Sequence, residues 1–465
     1  MKKRLGWLLP GVLLFVITRA FVLLEVESLT GGTDVVRYHE RVVAWKLGGS
    51  MYRDIQVEYP PPAWWLIALP SLGISAREIR DPTLVGWFPN FRRQLVDLDE
   101  RDIYPLGAVA GSRIEPADKL RLRVLLVYYH RFRALMAGLD VLGFVAFLHF
   151  LSRYSARRAG LGAIVYALGP ALVPSVLYDR LDVALLTGIS AFLCLWNRQR
   201  HLAADAALGG CVALKIFPAA AVPVLFASRW RASRRRAAIG LVAVGAAIGA
   251  TFLPHLDAGA GALRFLHFHA VRGLEIESVW SSLVLMLRPL GLDARAVLAF
   301  HTFELETSIA GSLSTLSLLA QGVIVASCTL RARRENELGL LLVAILGFVV
   351  ASKVLSPQYL IWLVPMACVV GLEVLRPREL PILMGLITLV YLATDWVYRQ
   401  HFVSHLGDEL VDELGLIPAL SAPTVTILVL RNALLIGIVA WLGISSARFP
   451  LRERNEPSSS APEDP

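Results

Sequence analysis

Cysteine is scarce. The chain has four, Cys194, Cys211, Cys328 and Cys368, each inside an apolar run, so neither a disulfide framework nor a thiolate metal site is suggested. Charge is scarce too, at 18% of residues. No Walker A motif, GxGxxG or serine-nucleophile elbow is evident, which removes support from ATP-driven transport and serine hydrolysis.

What the chain has instead is hydrocarbon. It is 56% hydrophobic, with a mean hydropathy of +0.58, more than one water-soluble core absorbs. The apolar residues come in runs of about 15 to 25, the length that crosses ~30 Å of hydrocarbon as helix. The fold class predicted is an all-α polytopic membrane protein. The net charge of +9 comes from arginines in short clusters between these runs. That placement suits orientation by the positive-inside rule, not nucleic-acid binding.

The arginine clusters also set the topology. Met1-Lys2-Lys3-Arg4 precedes the apolar residues 5–24, a run too long for a signal peptide and followed by no small-x-small cleavage site. It reads as a retained span with its N-terminus inside. Clusters at Arg153/Arg157/Arg158, Arg198/Arg200, Arg229–Arg236, Arg331/Arg333/Arg334, Arg376/Arg378 and Arg448/Arg452/Arg454 then need an even number of crossings between them. Parity places Pro60–Ile74 at the interface. It also makes residues 203–227, with Lys215-Ile216-Phe217-Pro218 in the middle, a segment that enters and returns.

Further spans are expected near 124–151, 159–177, 182–197, 237–254, 309–330, 337–352, 357–375, 379–398 and 424–446. In all, roughly 11–13 transmembrane or re-entrant helices form one domain over residues 1–446, with residues 447–465 a disordered cytoplasmic tail. The outer face then receives three loops, 25–123, 255–308 and 399–423. Chemistry is expected there.

The candidate residues gather in those loops. Asp34 and Tyr38 share a helical face with Arg41, and Thr33 suits the helix cap; Asp34 would equally favour a positive helix N-terminus. Glu58-Tyr59 precedes Pro60-Pro61-Pro62, a rigid lead into the interfacial anchor Trp64-Trp65. In Tyr178-Asp179-Arg180-Leu181-Asp182, the two carboxylates are expected on one helical face. Asp179 and Arg180 also fit a solvated turn, whereas Asp182, like Asp140 within its span, is a carboxylate starting or interrupting an apolar run.

A lysine at membrane depth costs roughly 2.5 to 3.5 kcal/mol on insertion scales, so Lys215 needs an anionic partner, either Asp179, Asp182 or Asp140, or a phosphate. His267-Phe268-His269, Arg272-Gly273, Glu275, Glu277 and Ser278 form a polar cluster, with His-x-His a weak zinc signal. Lys353 precedes Ser356-Pro357-Gln358-Tyr359, where snorkelling is an adequate alternative. Asp97-Leu98-Asp99 has the DxD form of metal-dependent nucleotide-sugar enzymes but lies in an ordinary charged loop.

The ordered set of an aspartate and tyrosine in the first outer loop, Glu58-Tyr59-Pro60-Pro61, Leu214-Lys215-Ile216-Phe217-Pro218, Arg272-Gly273 with Glu277-Ser278, and Lys353 with Ser356-Pro357-Gln358-Tyr359 resembles the GT-C membrane glycosyltransferases, specifically glycosyltransferase family 87. The resemblance covers about residues 5–375. It implies a GT-C-like helical bundle and an inverting transfer of a hexose, often mannose, from a polyprenyl-phosphate donor to an acceptor hydroxyl on a lipid or glycan.

On the same resemblance, Asp34 is the catalytic residue. Lys215, Arg272 and Lys353 are candidates to steady the donor phosphate. Tyr38, Glu58, Tyr59, Asp179, Asp182, His269, Glu277, Ser278, Gln358 and Tyr359 are candidates for sugar and acceptor binding. No metal or other cofactor is implied. The partners are the lipid-linked donor, the acceptor and membrane lipids. The insert after Ile74 departs from the family's shorter connection. A multi-span lipid or sugar transporter is the main rival, and a purely structural membrane protein a third reading; the concentration of polar loops on one face favours the enzyme.

Overall fold

A computed structural model of the chain describes residues 2–26, 34–55, 57–74, 116–299, 302–399 and 420–448. Thr33, Asp97-Leu98-Asp99, most of the insert, most of the loop 399–423 and the tail fall outside them. Among the described residues, helix dominates: α1 Lys2–Glu25, α2 Asp34–Lys46, α3 Pro61–Ala68, α4 Pro116–Leu151, α5 Ala156–Leu168, α6 Asp182–Asn197, α7 His201–Leu214 and α8 Ala221–Ala232. These are followed by α9 Arg234–Ala250, α10 Arg264–Val271, α11 Val279–Leu287, α12 Ala310–Arg331, α13 Glu337–Val350, α14 Leu360–Val374, α15 Leu380–Val397 and α16 Ala422–Arg448.

Among the described residues, six stretches are long and apolar enough to cross a membrane: Gly6–Glu25, Val124–Leu151, Ala310–Arg331, Pro357–Val374, Leu380–Val397 and Ala422–Arg448. A seventh results if α9 and the segment Leu253–Val271, bent by 90°, count as one. Their outward faces leave Leu24, Val242, Leu318 and Val323 exposed, as lipid contact requires. The chain is a polytopic helical membrane protein.

Several expected spans are shorter than the apolar run predicts. Helix α5 stops at Leu168 because Gly169-Pro170 follows, and proline offers no N–H to continue the ladder. Helices α6 and α13 have 16 and 14 residues, about 24 and 21 Å of helix, less than the hydrocarbon thickness. Nearly every residue of α13 is buried, so protein and not lipid surrounds it.

The bundle has two chemically distinct ends. At one, Arg153 lies 3.7 Å from Glu373, Arg158 donates to the Leu372 carbonyl at 2.9 Å and Arg198 to His149 at 2.8 Å. There too Arg231 caps the Leu330 carbonyl at 3.0 Å. The clusters at 153–158, 198–200, 229–236, 331–334 and 376–378 therefore share one end. At the other end lie α2, α3, α10, α11 and a small sheet.

The segment 203–227 does fold back. Helices α7 and α8 are joined through Lys215 and a 3-10 turn, Phe217–Ala220, and their far ends meet where Arg229 of α8 grips Asp205 of α7. Arg229 also lies 3.4 Å from Glu337 of α13, which anchors the hairpin.

Close helix contact between α1 and α5 depends on Gly160, where a Cβ would stand 2.6 Å from the Trp7 carbonyl oxygen. Gly160→Leu should therefore part the two helices and cost about 1–3 kcal/mol, read as a lowered Tm of the purified protein.

The sheet was not expected. Strands β1 Leu274–Glu275, β2 Arg295–Ala299 and β3 Thr302–Glu306 pair antiparallel in the order β1-β3-β2. Alternation along β3 sends Phe303 and Leu305 into an apolar cluster with Leu274, Val284 and Leu285, and leaves Glu304 on the opposite face.

Candidate functional site

An open cleft lies at the end of the bundle opposite the arginine clusters. Of the residues singled out above, Asp34, Glu58, Tyr59, Lys215, His269, Arg272, Glu277, Gln358 and Tyr359 line it.

One wall is built on α2 and the Pro60 turn. Lys46 ties α2 to the turn that follows α3, donating to the Ser71 and Ile74 carbonyls at 2.8 Å each. Asp34 opens α2, a favourable place for a carboxylate. Its Oδ2 accepts hydrogen bonds from Tyr38 Oη at 3.4 Å and Tyr59 Oη at 3.3 Å, and the two phenols are 3.2 Å apart. Tyr38 thus supports Asp34 from behind instead of lining the cleft. Arg180 pairs directly with Asp34, and Arg37 lies 3.5 Å away. Arg41 pairs with Glu58 at 3.5 Å. Burial alone would raise the Asp34 pKa, but Arg180, then Arg37 and Arg41, outweigh it and hold the carboxyl at about 2.

The floor is the hairpin tip. Lys215 Nζ donates to both Asp182 oxygens, at 2.7 and 2.8 Å, and Trp362 Nε1 donates to Asp182 Oδ1 at 2.7 Å. The ammonium also sits 4.6 Å from the centre of the Tyr359 ring. Of the anionic partners considered for Lys215, the structure selects Asp182, which stands behind the floor. Asp140 pairs with Arg19 at 2.7 Å.

Asp179 does not share a helical face with Asp182, contrary to expectation. Helix α6 begins at Asp182; Asp179 precedes it in a bend and turns to Arg133 of α4 at 3.5 Å, outside the cleft lining.

The far wall centres on Arg272, which donates to Thr302 Oγ1 at 2.8 Å and lies 3.6 Å from Glu304 and 3.9 Å from Glu275. Ser356 donates to Glu275. The Gly273 N–H donates to Glu304 at 3.1 Å, and a Cβ there would meet that carboxylate at 2.6 Å, which is why glycine follows Arg272.

Glu277 is held by Arg431 of α16 at 3.0 Å. Ser278 caps α11, its Oγ accepting from the Ser281 N–H at 3.1 Å, and does not line the cleft. Lys353 is likewise absent from the lining: its Nζ donates to the Ala270 carbonyl at 3.0 Å and to the Arg272 carbonyl, which braces the wall.

Among the described residues, no three His, Cys, Asp or Glu side chains are grouped as metal ligands would be.

Charge is divided unevenly between the walls. Asp34 faces two arginines, Arg37 and Arg180, whereas Arg272 faces two carboxylates, Glu275 and Glu304. Lys215 is balanced by Asp182. The surplus positive charge therefore sits on the Asp34 side.

Sequence reasoning missed Arg37, Arg180, Tyr398 and Arg431. Arg37 carries an available signal, since it lies three residues after Asp34 on the same helix. Arg431 carries another, being a lone arginine in an apolar run. Arg180 carries none, because its neighbours suit a solvated turn.

Two buried histidines make stability depend on pH. Burial lowers the pKa of His39, on α2, to about 4, and burial with Arg272, Lys215 and Lys353 does the same to His269. Both are neutral when folded and protonate near the usual 6.5 when unfolded, so the unfolded chain binds more protons between the two values. Stability should be complete above pH 6.5 and fall as pH drops towards 4, by roughly 1.4 kcal/mol per unit for each histidine. Tm measured against pH checks this, and His39→Phe should flatten the slope.

No family model and no curated protein matches the chain. A search of solved structures finds the crystal structure of ArnT from Cupriavidus metallidurans bound to undecaprenyl phosphate, at 19% identity and a TM-score of 0.44, covering 95% of this chain and 78% of that one.

Proposed function

We propose that the chain transfers a hexose, mannose first among the candidates, from a polyprenyl-phosphate donor to a hydroxyl of a lipid or glycan at the outer face of the membrane, with inversion. The observation that carries this reading is the Asp34 wall: an ionised carboxylate set among surplus arginines in a cleft at the non-basic end of a membrane bundle. A phosphate leaves as an anion and needs no proton donor, so one base and a set of cations suffice.

Asp34 is the base that takes the acceptor's proton. The charge balance favours Arg37 and Arg180 as the phosphate's first partners. Lys215, fixed by Asp182, supplies the floor beneath it, and Arg272, braced by Lys353, is better placed to order sugar hydroxyls together with His269, Glu277 and Gln358. Tyr59 and Tyr38 hold Asp34 in line, and Glu58 fixes Arg41. Phe217 and Tyr359, with ring centres 5.1 Å apart, offer an aromatic surface for the sugar ring.

The test is incubation of the purified protein with radiolabelled polyprenyl-phosphate-mannose, polyprenyl-phosphate-glucose or a nucleotide sugar, in the presence of extracted envelope lipids and glycans. Transfer from a lipid-linked donor and none from the nucleotide sugar supports the reading. Transfer from the nucleotide sugar alone contradicts it.

A further inference from the structure

Every residue around Arg180 that bears chemistry is turned away from the cleft and fastened. Tyr178 donates to Asp140 at 3.0 Å, Asp179 faces Arg133 at 3.5 Å, and Asp182 holds Lys215 at 2.7 Å. The segment 178–182 is therefore a mount pinned to α4 and to the hairpin tip. Arg180 alone of its charged residues enters the cleft lining, where it meets Asp34 and hydrogen-bonds Tyr398. The side chain is long and its fork has five donors, enough to serve an anion on each edge.

Resting on the function proposed above, we propose that the Asp34–Arg180 ion pair is a resting lock, and that the donor phosphate opens it by drawing Arg180 from the carboxylate. In the resting cleft the base is occupied. Arg180 and Arg37 both face it, Tyr38 and Tyr59 donate to it, and Arg41 stands behind with Glu58. A carboxylate held at a pKa near 2 binds a proton too weakly to serve as a strong base. Moving one arginine to the phosphate removes the largest charge that holds it there. Donor binding and activation of the base become one event, and a hydroxyl entering without a donor meets a base that is still gripped.

The mechanism predicts coupling between the two residues in binding a phosphate that carries no sugar. The probe is farnesyl phosphate, titrated into the purified full-length protein, as wild type, Asp34→Asn, Arg180→Gln and the double variant, with Tm confirming that each is folded. Asp34→Asn frees Arg180 and should tighten binding about tenfold, while Arg180→Gln should weaken it about tenfold. In the Arg180→Gln background the Asp34→Asn gain should vanish to within about twofold, a non-additivity that a general loss of negative charge does not produce.

Should Arg180→Gln not fold, Arg180→Met carries the same cycle, because it too removes the charge while keeping a long side chain to fill the space. Binding with an equal Asp34→Asn gain in both backgrounds overturns the lock and leaves the transferase reading standing. No binding by any folded variant overturns both.

Discussion

Asp34→Asn is expected to abolish measurable sugar transfer, a loss of about 10²- to 10⁴-fold in kcat, the usual contribution of a positioned base. The amide keeps the shape of the carboxyl and can still accept from Tyr38 and Tyr59, which stand 3.4 and 3.3 Å from Oδ2. It cannot accept the acceptor's proton. Two arginines facing Asp34 lose their counter-charge, so the variant should hold the donor at least as tightly as wild type. A drop in kcat with an unchanged or lowered KM for the donor separates a lost base from a collapsed site. A variant that transfers at the wild-type rate removes Asp34 from the chemistry.

Arg431→Met is expected to have the largest effect on stability. Arg431 and Glu277 are each about 1% exposed and 3.0 Å apart, and Arg431 also bonds the Glu277 carbonyl. Removing the guanidinium strands a buried carboxylate and should cost about 3–5 kcal/mol, seen as a fall in Tm. Adding Glu277→Gln should recover most of that loss, since a neutral pair carries no stranded charge. Glu277 lines the cleft, so the stable double variant should still transfer more slowly. Full activity in it would limit Glu277 to a structural role.

The helical architecture was legible because length and apolarity act additively along a run. Apolar residues over 310–331 or 422–448 admit one inexpensive solution in lipid, a helix. The hairpin at Lys215 was legible for a related reason: a lysine and a proline halfway along an apolar run leave a turn within the bundle as the economical arrangement. Strands of two and five residues, as in β1 and β3, are too short to register as a pattern.

Direction was hardest to read within the candidate site. Asp179, Arg180 and Asp182 lie within four residues, yet each points to a different neighbour: Arg133, Asp34 and Lys215. Spacing names the residues at a helix start but not which way the preceding bend sends them. The same limit separates Lys353, which turns to carbonyls, from Gln358, which lines the cleft five residues later.

Transfer from a lipid-linked donor has one main rival, movement of the same lipid across the membrane. The protein reconstituted into vesicles with radiolabelled polyprenyl-phosphate-mannose in the bilayer distinguishes them, with extracted acceptor lipids and glycans present and the label followed to its chemical form. Label should leave polyprenyl phosphate and appear on an acceptor with inverted anomeric configuration, in wild type and not in Asp34→Asn. Intact donor that changes leaflets at equal rates in wild type and Asp34→Asn, with no labelled acceptor, would instead make the protein a transporter.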